Sequence, residues 1–182
     1  MFGGIEMSFS IRIALMVSSI SLLLMITACN MKSEATILKE VEEVSEAMFE
    51  EKESIKANHQ LDSLTLYIPE HLTIDEEDDS NIILSNQDQI YIIFINHLEK
   101  PTSKLNYKAA QNSQALLMKS FQDNDSFGYI QVIPEDDNTY ELQIGVGGIK
   151  ITTLTNKRKV VTDAEDLMKI AISTMNNNDL YE

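Results

Sequence analysis

The sequence predicts an α+β fold with a mainly antiparallel sheet. Two groups of short strands, each joined by hairpin-length turns, carry that expectation, and helix-period segments precede, separate and follow them. The 182 residues are 43% hydrophobic, too apolar for a disordered chain and too polar for a multi-span membrane protein. One domain is the natural count at this length. The expected order is helix, three strands, helix, three strands, helix, preceded by a signal-peptide helix.

The chain opens on a processing signal. Arg12 precedes an apolar run from Ile13 to Ile26, closed by the small residues Thr27 and Ala28 before Cys29, the only cysteine. A positive flank, a short apolar core and a small-residue exit mark a secretory signal, which is set apart from the fold. Only about 14 residues run continuously apolar or small-polar, against the ~20 that cross a bilayer as a helix. Glu6 is out of place in a positive leader, which makes Met7 an alternative start to Met1.

Ile26-Thr27-Ala28-Cys29 resembles a bacterial lipobox, with Ile where Leu is commoner. The resemblance implies cleavage between Ala28 and Cys29 and a diacylglyceryl thioether on the Cys29 sulfur. That chemistry needs a thiol nucleophile, and small neighbours admit the peptidase. It implies a lipoprotein tethered through Cys29 at the outer face of the cytoplasmic membrane. Two acyl chains, at ~0.8 kcal/mol per buried methylene, are enough to hold it there. The many Lys, Asn and Ile residues suit a Gram-positive source. The expected division is 1–28 signal peptide, 29–60 lipidated N-terminus and amphipathic helix, and 61–182 a single α+β domain.

Beyond the signal, Ile37, Val41, Val44, Met48 and Ile55 recur at helical spacing. They predict one amphipathic helix from Ser33 to about Gln60, ~42 Å long at ~1.5 Å per residue. Its narrow stripe suits packing on a sheet; a coiled-coil seam is the alternative, weakened by Lys52 at the next heptad position. Leu64, Leu66 and Ile68 alternate with polar residues up to Pro69, a half-buried strand. Strands at 81–85 and 89–96 flank a polar turn. The second reads Ile90-Tyr91-Ile92-Ile93-Phe94-Ile95, apolar at every position, and predicts a central strand covered on both sides.

After Pro101, residues Tyr107, Ala110, Leu117, Met118 and Phe121 suggest a second helix. Strands follow at 129–133, 140–146 and 149–154, the last two joined at Gly147-Gly148. Thr162-Asp163-Ala164-Glu165 reads as a capping box opening a final helix, with Leu167, Ile170, Ala171 and Met175 on its buried face. This order over residues 60–178, with the strand exit Tyr67-Ile68-Pro69-Glu70, resembles the PsbP/DcrB-like group of small secreted and lipoprotein domains. The resemblance implies a binding or accessory role.

The charge narrows the partners. Fourteen Lys and Arg face 29 Asp and Glu, a net −15. The excised signal carries one charge of each sign, Glu6 and Arg12, so the mature chain keeps that net charge. Nucleic acid is excluded as an expected partner, because affinity for it comes from cations set against phosphates. His59, His71 and His97 lie in separate segments without metal-ligand spacing. Gly145-Val146-Gly147-Gly148-Ile149-Lys150 has neither phosphate-loop spacing and reads as a hairpin turn.

Asp75, Glu76, Glu77, Asp78 and Asp79 read as a solvated, mobile loop between strands, and hard cations are the ligand such acids would take. Asp123 and Asp125 imitate the start of a calcium loop, but Phe127 and Pro134 occupy ligand positions. Lys157-Arg158-Lys159, the only basic run, reads as a solvated loop. The expectation is therefore a non-catalytic binding or accessory domain for a protein or envelope component, with no cofactor, no metal and no catalytic residues. A small-molecule or metal-ion binding lipoprotein is the alternative.

Overall fold

The computed structural model describes residues 32–51, 55–61, 64–136 and 138–176. The chain divides into two units, Met1–Ser33 and Glu34–Glu182, and every described helix and strand belongs to the second. The signal segment and residues 26–29 lie outside the described residues.

Helix α1 spans Glu34–Glu50. Two-residue strands β1 (His59–Gln60) and β2 (Thr65–Leu66) pair with each other. The main sheet comprises β3 (Thr73–Glu77), β4 (Asn81–Asn86), β5 (Gln89–Ile95), β6 (Leu117–Gln122), β7 (Phe127–Asp136), β8 (Thr139–Val146) and β9 (Ile149–Asn156). Helix α2 (Leu105–Ala110) lies between β5 and β6, and helix α3 (Val160–Ser173) follows β9, ending in a 3-10 turn at Thr174–Asn176.

The fold is α+β, and its seven-stranded sheet is antiparallel throughout, in the order β3-β4-β5-β9-β8-β7-β6. Two meanders, β3 to β5 and β6 to β9, join where β5 pairs with β9.

The finer element order departs from expectation in four places. Helix α1 stops at Glu50, because the chain from Asn58 turns to strand pairing. The Asn58 side chain donates to the Ile68 carbonyl at 2.9 Å and accepts from its amide at 2.8 Å, extending the small sheet. The alternation of Leu64, Leu66 and Ile68 is real, and all three are buried, but only two residues form a strand. The acidic stretch is a loop only in part: Asp75, Glu76 and Glu77 lie in β3, an edge strand with a bulge between Ile74 and Glu76, while Asp78 and Asp79 form the turn into β4.

The second expected helix is cut short at Ala110. Leu117 and Phe121 turn to the core two by two as strand β6, in register with Val132 and Gly128 of β7. Their spacing of four fits either period, and cross-strand pairing decided it.

The core lies between the inner face of the sheet and the pair α1–α3. Ile37, Val41 and Phe49 of α1 and Leu167, Ile170 and Ala171 of α3 are buried against Ile82, Leu84, Ile93, Ile130, Leu142 and Ile151. The α1 stripe thus packs on α3 and the sheet. Phe49 reaches furthest: its ring meets Phe121 at 5.8 Å, and a Cβ on Gly128 would stand 2.9 Å from it. A side chain at 128 would have to push the Phe49 ring aside.

Candidate functional site

The reactive side chains picked out in sequence do not converge. His59 Nε2 lies 2.9 Å from Glu77, His71 Nε2 lies 3.2 Å from Asp166, and His97 Nε2 bonds the Asp79 carbonyl. Each histidine thus has a local partner. Burial lifts the Asp166 carboxyl above its ordinary range, while the His71 charge partly offsets that. Acids of the 75–79 stretch are also engaged: Asp75 of β3 accepts from the Ser85 hydroxyl at 3.0 Å, and Asp78, in the turn after β3, accepts the amides of Ser80 and Asn81 at 2.7 and 2.8 Å. Those two amides hold the Asp78 carboxyl below its usual range. Asp123 accepts from the amides of Asp125 and Ser126, both at 2.8 Å, closing the β6–β7 turn. Among the described residues no group of three or more His, Cys, Asp or Glu side chains is placed to hold a metal ion.

Gly147-Gly148 is the β8–β9 hairpin turn, with Gly147 at φ +54. Lys157-Arg158-Lys159 is the turn between β9 and α3; Lys157 stands 3.7 Å from Glu34, and Lys159 donates to Gln89 at 3.2 Å.

The capping box is overturned. Helix α3 starts at Val160 with Lys159 as its N-cap and no side-chain cap bond, so Thr162 already lies inside the first turn. Asp163 serves another purpose. Its carboxylate is 4% exposed and accepts from Tyr91 Oη at 3.0 Å, Gln89 Nε2 at 2.9 Å and the Thr155 hydroxyl. Three donors and a first-turn position satisfy a charge that would otherwise be costly to bury. Burial and this carboxylate push the Tyr91 phenol well above its ordinary range. The cluster fastens α3 to β5 and β9. Nothing local in the sequence reveals it, because Tyr91 and Asp163 are far apart in the chain.

The second feature missed in sequence is on the outer face of the sheet, away from α1 and α3. Over β7 that face is covered by the crossover of residues 96–116. Tyr107 of α2 meets Phe127 at 5.3 Å and Tyr129 at 5.8 Å, both edge-on, and Gln131 Nε2 donates to the Ala110 carbonyl at 2.5 Å. Over β5 and β9 nothing described covers it. Ile90, Ile92 and Leu154 are 54%, 49% and 58% exposed, and strand register places Ile92 between Ile83 and Thr152. A shallow hollow of about 390 Å³ runs along them, bounded by Asp88 and Glu141. Strand β5 is therefore covered on its inner face alone, which corrects the expectation of burial on both sides.

Among the described residues no helix is long and apolar enough to cross a membrane. Compared with protein-family models, with curated proteins and with solved structures, the chain finds no match in any of the three.

Proposed function

We propose that this chain is a membrane-anchored extracytoplasmic lipoprotein whose folded unit is a non-catalytic binding domain for another protein. The observation that carries the binding role is the open half of the outer sheet face. Ile90, Ile92 and Leu154 leave apolar area in water that the rest of the sheet hides, and burying it against a partner is favourable at ~25 cal/mol per Å². The anchoring rests on Ile26-Thr27-Ala28-Cys29 behind an apolar signal sequence, with the lipid on the Cys29 sulfur. With Cys29 lipidated, only residues 30–33 separate it from the start of α1 at Glu34, a reach of at most ~18 Å. The domain then works close to the bilayer, where its partner is an envelope or membrane protein.

The test uses the full chain in intact cells, with a photoreactive residue at position 92 and a fatty-acid analogue as label. Labelling is expected in the native chain and lost in Cys29→Ala. Crosslinking to a defined protein is expected, and it should fall when Cys29→Ala removes the tether. Undiminished lipid labelling in Cys29→Ala overturns the anchor.

A further inference from the structure

We infer that the open half of the outer sheet face is a docking surface for a basic, amphipathic segment of another protein. This rests on the binding-domain reading and names the chemistry of the partner. Two observations choose that occupant.

The first is the cover that the chain places on the other half of the same face. Residues 96–116 supply a short helix with one aromatic, Tyr107, laid on the sheet, and with Lys104 and Lys108 around it. Lys104 stands 4.7 Å from the Phe127 ring centroid and bonds Gln122 at 2.8 Å. The sheet is thus already covered once by a lysine-bearing amphipathic segment, and the bare half offers the next place for one.

The second is charge. The exposed Ile–Leu strip is bordered by Asp88 and Glu141 at one end and by Glu76, paired with Ile83, across β4. Two bases also stand at the strip, and both are engaged: Lys150 lies 5.7 Å from the Phe94 ring centroid, and Lys159, beside Asp88 and Leu154, donates to Gln89 at 3.2 Å, so the three carboxylates still outnumber them. The chain as a whole is at −15. A second copy would bring the same acidic rim and the same net charge against this one. An anionic bilayer would be repelled too. A segment with Lys or Arg flanking apolar side chains meets both the strip and its rim.

The experiment uses the full chain in phosphatidylcholine nanodiscs. The probe is a short fluorescent peptide alternating Lys with Ile; its counterparts carry Glu for Lys, or Ser for Ile. Anisotropy titrations at about 0.15 M NaCl screen long-range attraction. The Lys–Ile peptide should bind, and each counterpart should bind at least about tenfold more weakly. Ile92→Ser combined with Leu154→Ser should weaken the Lys–Ile peptide about tenfold, and Glu141→Lys severalfold with a flatter salt dependence. Ile92 and Leu154 are exposed and Glu141 is half-buried, and unchanged melting temperatures will show that the variants fold.

Equal binding by the Lys–Ser peptide reduces the effect to net charge and overturns the inference, as does indifference to the double substitution. Crosslinks at position 92 between two copies, or quenching there by brominated lipid, overturn it in favour of those occupants. Peptide indifference to this face, with a cellular partner crosslinked elsewhere, overturns the docking surface while the binding-domain reading stands.

Discussion

Strands β5 and β7 show how differently one sheet treats two apolar strands. Ile90–Ile95 is apolar at all six positions, and by composition it is the most core-like strand in the chain. Yet its residues alternate, with Tyr91, Ile93 and Ile95 buried and Ile90 and Ile92 open. Strand β7 contains Gly128 and Gln131 and looks less apolar, but every residue from Phe127 to Val132 is buried. The difference lies in what crosses over each strand. The crossover from β5 to β6 passes over β7, so Phe127, Tyr129 and Gln131 are sealed on the outer face. Nothing described passes over β5. Exposure of such a strand is a matter of connectivity, and an apolar side chain left out of the core is available for a partner.

The sharpest way to break this contrast is to truncate one outward residue on each strand. Tyr129→Ala empties a sealed site whose hydroxyl also donates to Gln143 at 2.9 Å, and should cost ~3–5 kcal/mol. Ile92→Ala removes a half-exposed side chain and should stay within about 1 kcal/mol. Urea unfolding of both variants measures the gap, and equal losses would mean that β5 is covered as β7 is.

Gly145→Ala probes how tightly the sealed half is closed. Its added Cβ would stand 2.3 Å from the Tyr129 ring and 2.9 Å from the Ile149 carbonyl oxygen. Since backbone must move as well as the ring, a loss of ~1–3 kcal/mol is expected in thermal melts.

Removing the cover itself comes next in size. Tyr107→Ala deletes two edge-on aromatic contacts, each worth ~0.5–1.5 kcal/mol, and the effect should concentrate over β7. Hydrogen exchange at residues 127–132 should quicken while β4 and β5 keep their rates.

The smallest effect concerns the turn beside the open half. Asp78 is held ionised by two amides, so its contribution is present above the ordinary carboxylate range and lost as the pH falls through its lowered native value. The melting temperature of Asp78→Ala should therefore lie below that of the native chain at pH 7. The two should converge in strong acid; a constant gap would place the effect in turn geometry alone.

Part of this was legible in the sequence. The inward residues of α3, Leu167, Ile170 and Ala171, the hairpin at Gly147-Gly148 and the pairing of 81–85 with 89–96 were read from period and turn chemistry. Strand β6 was not, because Leu117 and Phe121 satisfy helix and strand periods alike. Nor was β3, since its run of Asp75, Glu76 and Glu77 gives no apolar alternation to read; its strand form comes from pairing with β4. Asp163 was placed in the right helix but given no role, the expected capping box resting on Thr162 and Glu165. A capping box is a local pattern, whereas Tyr91, Gln89 and Thr155 reach it from other strands.

What the sequence determined alone is the set of local preferences: an α+β class, an antiparallel pairing favoured by short turns, an acidic surface and the residues able to enter a core. Those follow from side-chain period, turn residues and charge, which act over a few positions. Tertiary structure decided which of the eligible residues the core accepts. Burial on the outer face depends on the path of one connection, residues 96–116, and that path is set by the joining of two meanders through β5 and β9. Ile92 and Tyr129 are both fit to be buried, and only the crossover over β7 makes one of them core and leaves the other a surface.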